Sequence, residues 1–120
     1  MRRVIIAIAA LALSGHAGAT GDAGYTRIMD DWCRVADGTS QNSLKCAQYF
    51  AGALHMSIFM EYTAANEGFQ TPFCAGDADP SPDILRRLWV NYIDDNPKLL
   101  AEPIFVSYIR MMKQEYPCAE

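Results

Sequence analysis

The chain has 120 residues, 51% of them hydrophobic, with 14 acidic side chains against 10 lysines and arginines and a formal net charge of −4. That acid excess argues against a nucleic acid or an anionic membrane surface as partner, because both demand a basic footprint. The length allows one domain.

The first segment in chain order has the build of a secretory leader. Arg2 and Arg3 form its positive start, Val4 to Leu13 its apolar run, and Ala17-Gly18-Ala19 its small-residue cleavage site. The run is far short of the roughly 20 apolar residues that a membrane-spanning helix needs. His16 stands where a lipid-bearing cysteine would have to be, so no lipid anchor is expected. The reading is a signal peptide over residues 1–19, cleaved after Ala19, and a helical domain over residues 20–120 that is exported without a membrane anchor. Without Arg2 and Arg3, eight basic side chains face fourteen acidic ones. Such a surface favours a basic protein partner through a faster on-rate, or serves solubility alone.

Apolar residues then recur at helical steps through the chain, and no segment sustains the period-two alternation of a strand. Tyr25, Ile28, Met29, Trp32 and Val35 predict a first helix from about Tyr25 to Ala36. A polar turn follows, with Gly38 as a left-handed stop. Ser43 is the expected N-cap of a second helix that runs to about Asn66 and ends at Gly68. Leu44, Tyr49, Phe50, Leu54, Ile58, Phe59 and Tyr62 cover more than one face of it. A helix apolar nearly all round is central in a bundle or buried in a subunit contact. Gly52, unfavourable by about 1 kcal/mol against alanine in a helix interior, suggests a close helix crossing.

Phe69 to Pro80 reads as irregular. Ser81, Pro82 and Asp83 then supply an N-cap, a first-turn proline and a dipole-matched acid for a third helix. Ile84, Leu85, Leu88, Trp89, Tyr92 and Ile93 form its stripe, and Asn96-Pro97 ends it. The fourth helix carries Leu100, Ile104, Phe105, Tyr108, Ile109 and Met112, and Pro103 must kink it or divide it into a short and a long piece.

The fold class expected is all-α: a small four- to five-helix bundle of two antiparallel hairpins. Export places Cys33, Cys46, Cys74 and Cys118 in an oxidising compartment, where two disulfides are the default. Four cysteines allow three pairings. The helix reading favours Cys33–Cys46 across the first turn and Cys74–Cys118 across the open end of the second hairpin. In the chain-entropy picture those closures contribute roughly 3 and 4 kcal/mol.

Residues suited to catalysis are scarce. His55 sits inside an apolar helix, where a core or interface place is expected, with a pH-sensitive contact as the alternative. Paired cysteines leave no thiolate to join it. Asp77, Asp79 and Asp83 lack the glycine and the closing acid of a calcium loop and read as helix-start decoration. No metal or cofactor is expected. Met56, Met60, Met111 and Met112, at helical spacing, read as core, with an adaptable binding surface as the other option. Phe69, Pro72 and Phe73 in the irregular loop are either exposed interface anchors or a cap on the bundle.

Cys46-Ala47-Gln48-Tyr49-Phe50-Ala51-Gly52 resembles the Rap/Tai family of type VI secretion immunity proteins, which shows a Cys, a Tyr and a Gly at this spacing on its second helix. Phe73-Cys74, the helix ending at Asn96-Pro97 and the terminal Tyr116-Pro117-Cys118 continue the likeness over most of the exported chain. Tyr49, Gly52, Pro97 and Pro117 are thus its structural motif residues. The resemblance implies a periplasmic, all-helical homodimer that binds a peptidoglycan amidase toxin and blocks its active-site groove without catalysis of its own. Phe69, Gln70, Phe73 and Asp77 are the candidate toxin contacts. The alternative is a periplasmic acid-stress chaperone, motivated by fourteen carboxylates around a Met- and aromatic-rich interior but opposed by two staples that resist opening.

Overall fold

The computed structural model describes residues 24–35 and 37–120. The expected leader over residues 1–19 and its cleavage site lie outside the described residues, as does Ala36. Among the described residues four α-helices follow one another: α1 (Thr26–Arg34), α2 (Gln41–Glu67), α3 (Pro82–Asp95) and α4 (Ile104–Glu115), with a 3-10 segment, Pro97–Ala101, between the last two. Pro103 therefore divides the expected fourth helix into two pieces, because its ring and missing N–H forbid a continuous helix there.

The helix ends follow from local chemistry. Asp37 Oδ1 accepts from the Thr39 and Ser40 amides at 3.0 and 2.9 Å, and Gly38 takes φ 70°. The cap of α2 is Ser40, whose Oγ accepts from Ser43 N at 3.1 Å. Ser43, expected in that role, lies inside the first turn, is buried, and accepts from Gly38 N instead. At the far end Gly68 takes φ 79° and its N–H returns to the Ala64 carbonyl, the left-handed stop that suits glycine. Ser81 caps α3 as its sequence predicts, accepting from Ile84 N, with Pro82 in the first turn.

The core forms where the helices cross. Cys46, Phe50, Leu54 and Ser57 fall on one face of α2, Leu85, Trp89 and Ile93 on one face of α3, and Ile104, Tyr108 and Met111 on α4. Phe50 meets Trp89 edge-on at 5.9 Å between ring centroids, and Tyr49 meets Tyr108 likewise at 6.3 Å. Such edge contacts add about 0.5–1.5 kcal/mol each beyond area burial.

α1 is short and is held by contacts far away in sequence. Thr26 N and Oγ1 both donate to the Glu102 carbonyl, and Oγ1 also lies 2.7 Å from Ser107 Oγ. Tyr25 and Pro103 make an isolated antiparallel bridge beside them. At the other end Arg34 pairs with Asp30 at 2.8 Å and with Asp94 of α3 at 2.7 Å. Cys33–Cys46 joins α1 to α2 beside their turn, and Cys74–Cys118 joins the loop before α3 to the chain after α4. No helix among the described residues is long and apolar enough to cross a membrane.

Candidate functional site

The loop between α2 and α3 is fixed by a carboxylate. Glu61 Oε1 accepts from Ala75 N at 2.6 Å, and Oε2 accepts from Gly76 N at 2.9 Å. A Cβ on residue 76 would stand 2.7 Å from that Oε2, so a larger residue there would make the Glu61 carboxylate shift its grip. Ala75 is fully buried, and Cys74 N donates to the Tyr116 carbonyl at 2.8 Å. Thr71 Oγ1 donates to the Phe73 carbonyl and closes the turn.

These anchors shape two concavities on either side of the loop. The larger is a cleft of about 580 Å³ between the end of α2, the loop and the C-terminal tail. Phe69, Gln70, Thr71 and Asp77 line it from the loop, Glu61 and Ala64 from α2, and Cys118 and Glu120 from the tail. Among the described residues that line it, three are acidic and none is basic. The smaller is an apolar groove of about 220 Å³, walled by Met56 and Met60 of α2, Pro72 and Phe73 of the loop, and Phe105 and Ile109 of α4.

Three of the four candidate contacts, Phe69, Gln70 and Asp77, thus share one cleft, and all three are exposed. Phe73 parts company with them. It is only 5% exposed, and its ring meets Tyr108 edge-on at 5.9 Å. Of the two alternatives for the loop aromatics, Phe69 takes the exposed one and Phe73 the capping one. As a core residue Phe73 supports the loop from beneath and borders the apolar groove.

The motif residues are spread through the fold. Tyr49 is half-buried between Phe50 and Tyr108; burial first, and then its neighbour Tyr108, push its phenol up to about 12. Pro97 opens the 3-10 segment, and Pro117 follows the Tyr116 cap of α4. Gly52 departs from expectation. It is exposed, and nothing among the described residues lies within 4 Å of where its Cβ would be, so no close crossing of the described helices uses it.

Around Gly52 the outer face of α2 remains bare. His55, Met56, Phe59, Met60 and Tyr62 are all exposed, so His55 is outside the core. The methionines divide: Met111 and Met112 are fully buried, while Met56 and Met60 are on the surface. Glu61 was the participant that periodicity did not single out. Its signal is a lone carboxylate within the apolar stretch from Leu54 to Tyr62.

Chemically the cleft offers acceptors, an aromatic edge and shape. No group of three or more His, Cys, Asp or Glu among the described residues is placed to hold a metal ion. Asp83 is turned instead to Arg86 and Arg87 on its own helix, and all four cysteines are paired. A family model described as Rap1a immunity proteins matches residues 26–118. No curated protein and no solved structure gives a match.

Proposed function

The chain belongs to the Rap1a immunity protein family, and from that premise we propose that it is a periplasmic protein that occludes the active site of a type VI secreted peptidoglycan amidase toxin. Membership makes the chain a non-catalytic binder of a protein toxin rather than an enzyme. The observation that carries the reading is the extent of the match, which spans all four helices and every cysteine.

The finer terms rest on chemistry. Two disulfides fit an oxidising compartment, and export through the leader over residues 1–19 would bring the chain there. The contact surface we assign is the acidic cleft, with Phe69 as the anchoring aromatic, Gln70 beside it and Asp77 as a charge that steers a basic partner. Phe73 supports that surface from the core.

A homodimer would use the bare face of α2. Phe59 is 60% and Tyr62 71% exposed on the face that also holds Gly52. A glycine that the described residues leave uncontacted would let the backbone of a second helix approach closely, and a two-fold contact would cover both copies of the face at once.

The test is capture of a partner by the oxidised protein from periplasmic extract of cells producing their type VI effectors. Recovery of one amidase in equal amount, inhibited on purified cell-wall fragments, is the expected result. No specific partner at neutral pH, with many unfolding clients held after acidification, would favour the acid-stress chaperone instead.

A further inference from the structure

The two disulfides occupy opposite environments. Cys33 and Cys46 are both 0% exposed, in the core between α1 and α2. Cys74 is exposed and Cys118 is half-buried, and both line the acidic cleft. Thiol–disulfide exchange requires a thiolate to reach a sulfur, so access separates the two bonds.

What each bond holds also differs. Cys33–Cys46 lies within the packed core. Cys74–Cys118 joins the loop to residues 117–120, which follow the last helix. Among the described residues no backbone hydrogen bond ties residues 117–120 to the body. Cys118 Sγ does lie 3.8 Å from the Thr71 carbonyl, and Thr71 Oγ1 stands 3.9 Å from the same sulfur. The loop has other anchors: buried Phe73, the Glu61 carboxylate on Ala75 and Gly76, and Cys74 N on the Tyr116 carbonyl.

We propose that Cys74–Cys118 is a reducible latch on the cleft, opened by a dithiol reductant, while Cys33–Cys46 remains closed and the helices stay packed. One thiolate of the dithiol attacks Cys74 Sγ, and Cys118 leaves as a thiolate that takes up a proton from water. The second thiol of the reductant then resolves the mixed disulfide, releasing Cys74 as a thiol and the reductant as its own disulfide. Two electrons pass from the dithiol to the latch. Opening frees Cys118, Ala119 and Glu120, which form one wall of the cleft. The contact surface then exists in a latched and an unlatched form. Its meaning for toxin binding rests on the reading of the cleft as the toxin-facing surface.

The experiment titrates the oxidised protein with dithiothreitol, alkylates free thiols, and assigns them by peptide mass spectrometry. Circular dichroism and amide hydrogen exchange are followed in parallel. Cys74 and Cys118 are expected to open at reductant concentrations at least ~10-fold below those that open Cys33–Cys46. Helicity should be unchanged, and the hydrogen-bonded amides of Cys74, Ala75, Gly76 and the four helices should keep their protection against exchange. The double variant Cys74→Ser, Cys118→Ser should show the same helicity and exchange pattern without reductant. Opening of both bonds together, or loss of helicity when Cys74–Cys118 alone is open, would overturn the proposal. No partner enters these measurements, so a failed latch is distinguishable from a failed assignment of the cleft.

Discussion

Phe69 and Phe73 are one helical turn's spacing apart in a loop that is not helical, and periodicity cannot say which of them faces inward. The difference is tertiary: Tyr108 and the core receive Phe73, while Phe69 stays 46% exposed on the cleft. Substitution separates them. Phe69→Asp should leave thermal unfolding nearly unchanged yet weaken toxin binding by about 2 kcal/mol, as loss of an aromatic anchor does. Phe73→Ala should instead lower stability by about 3–5 kcal/mol in denaturant titration. Equal effects of the two on stability would contradict the division. Tyr49 adds a pH dependence at the same scale. Its phenol titrates at about 12 in the fold against 10.0 when free. The stability it contributes is full below pH 10 and is lost as pH rises through about 12, because the unfolded chain releases the proton first. Tyr49→Phe should therefore lose less stability than the parent across that window, measured by urea midpoints at each pH.

At the scale of elements, the order of helices, the left-handed stop at Gly68 and the cap at Ser81 were legible, since each depends on neighbours in sequence. Gly38 takes its positive φ in the turn and is not the stop of α1, which ends at Arg34 with Val35 extended. The start of α2 was less so. Ser40 and Ser43 are both competent caps, and Asp37 decides between them by folding the turn onto the Thr39 and Ser40 amides. Ser40→Ala should cost about 1 kcal/mol, the usual loss of a serine cap. Gly52 is the opposite case. Periodicity marked α2 as apolar on more than one face, but which faces its own chain covers depends on the placement of α3 and α4. With open space around Gly52, Gly52→Ala should stabilise the single chain by up to about 1 kcal/mol through helix propensity. If the bare face is the dimer contact, the same change should weaken self-association in analytical ultracentrifugation. Stabilisation with unchanged association would remove Gly52 from that contact.

Over the whole molecule, the pairing Cys33–Cys46 and Cys74–Cys118 follows from the hairpins, whereas the cleft that the second pair shapes does not. Its walls come from α2, the loop and the tail, segments separated by dozens of residues, and no short-range pattern records their meeting. Glu61 is the clearest example, since its grip on Ala75 and Gly76 becomes visible only once the loop folds back. The same arrangement accounts for a binder without catalytic groups: a stapled helical body supports an acidic, partly aromatic concavity that a protein partner can fill. The most direct test is a titration of the captured amidase toxin, digesting purified peptidoglycan, with the oxidised protein. Hydrolysis should stop near one immunity subunit per toxin molecule. Undiminished hydrolysis in the presence of excess protein would contradict this.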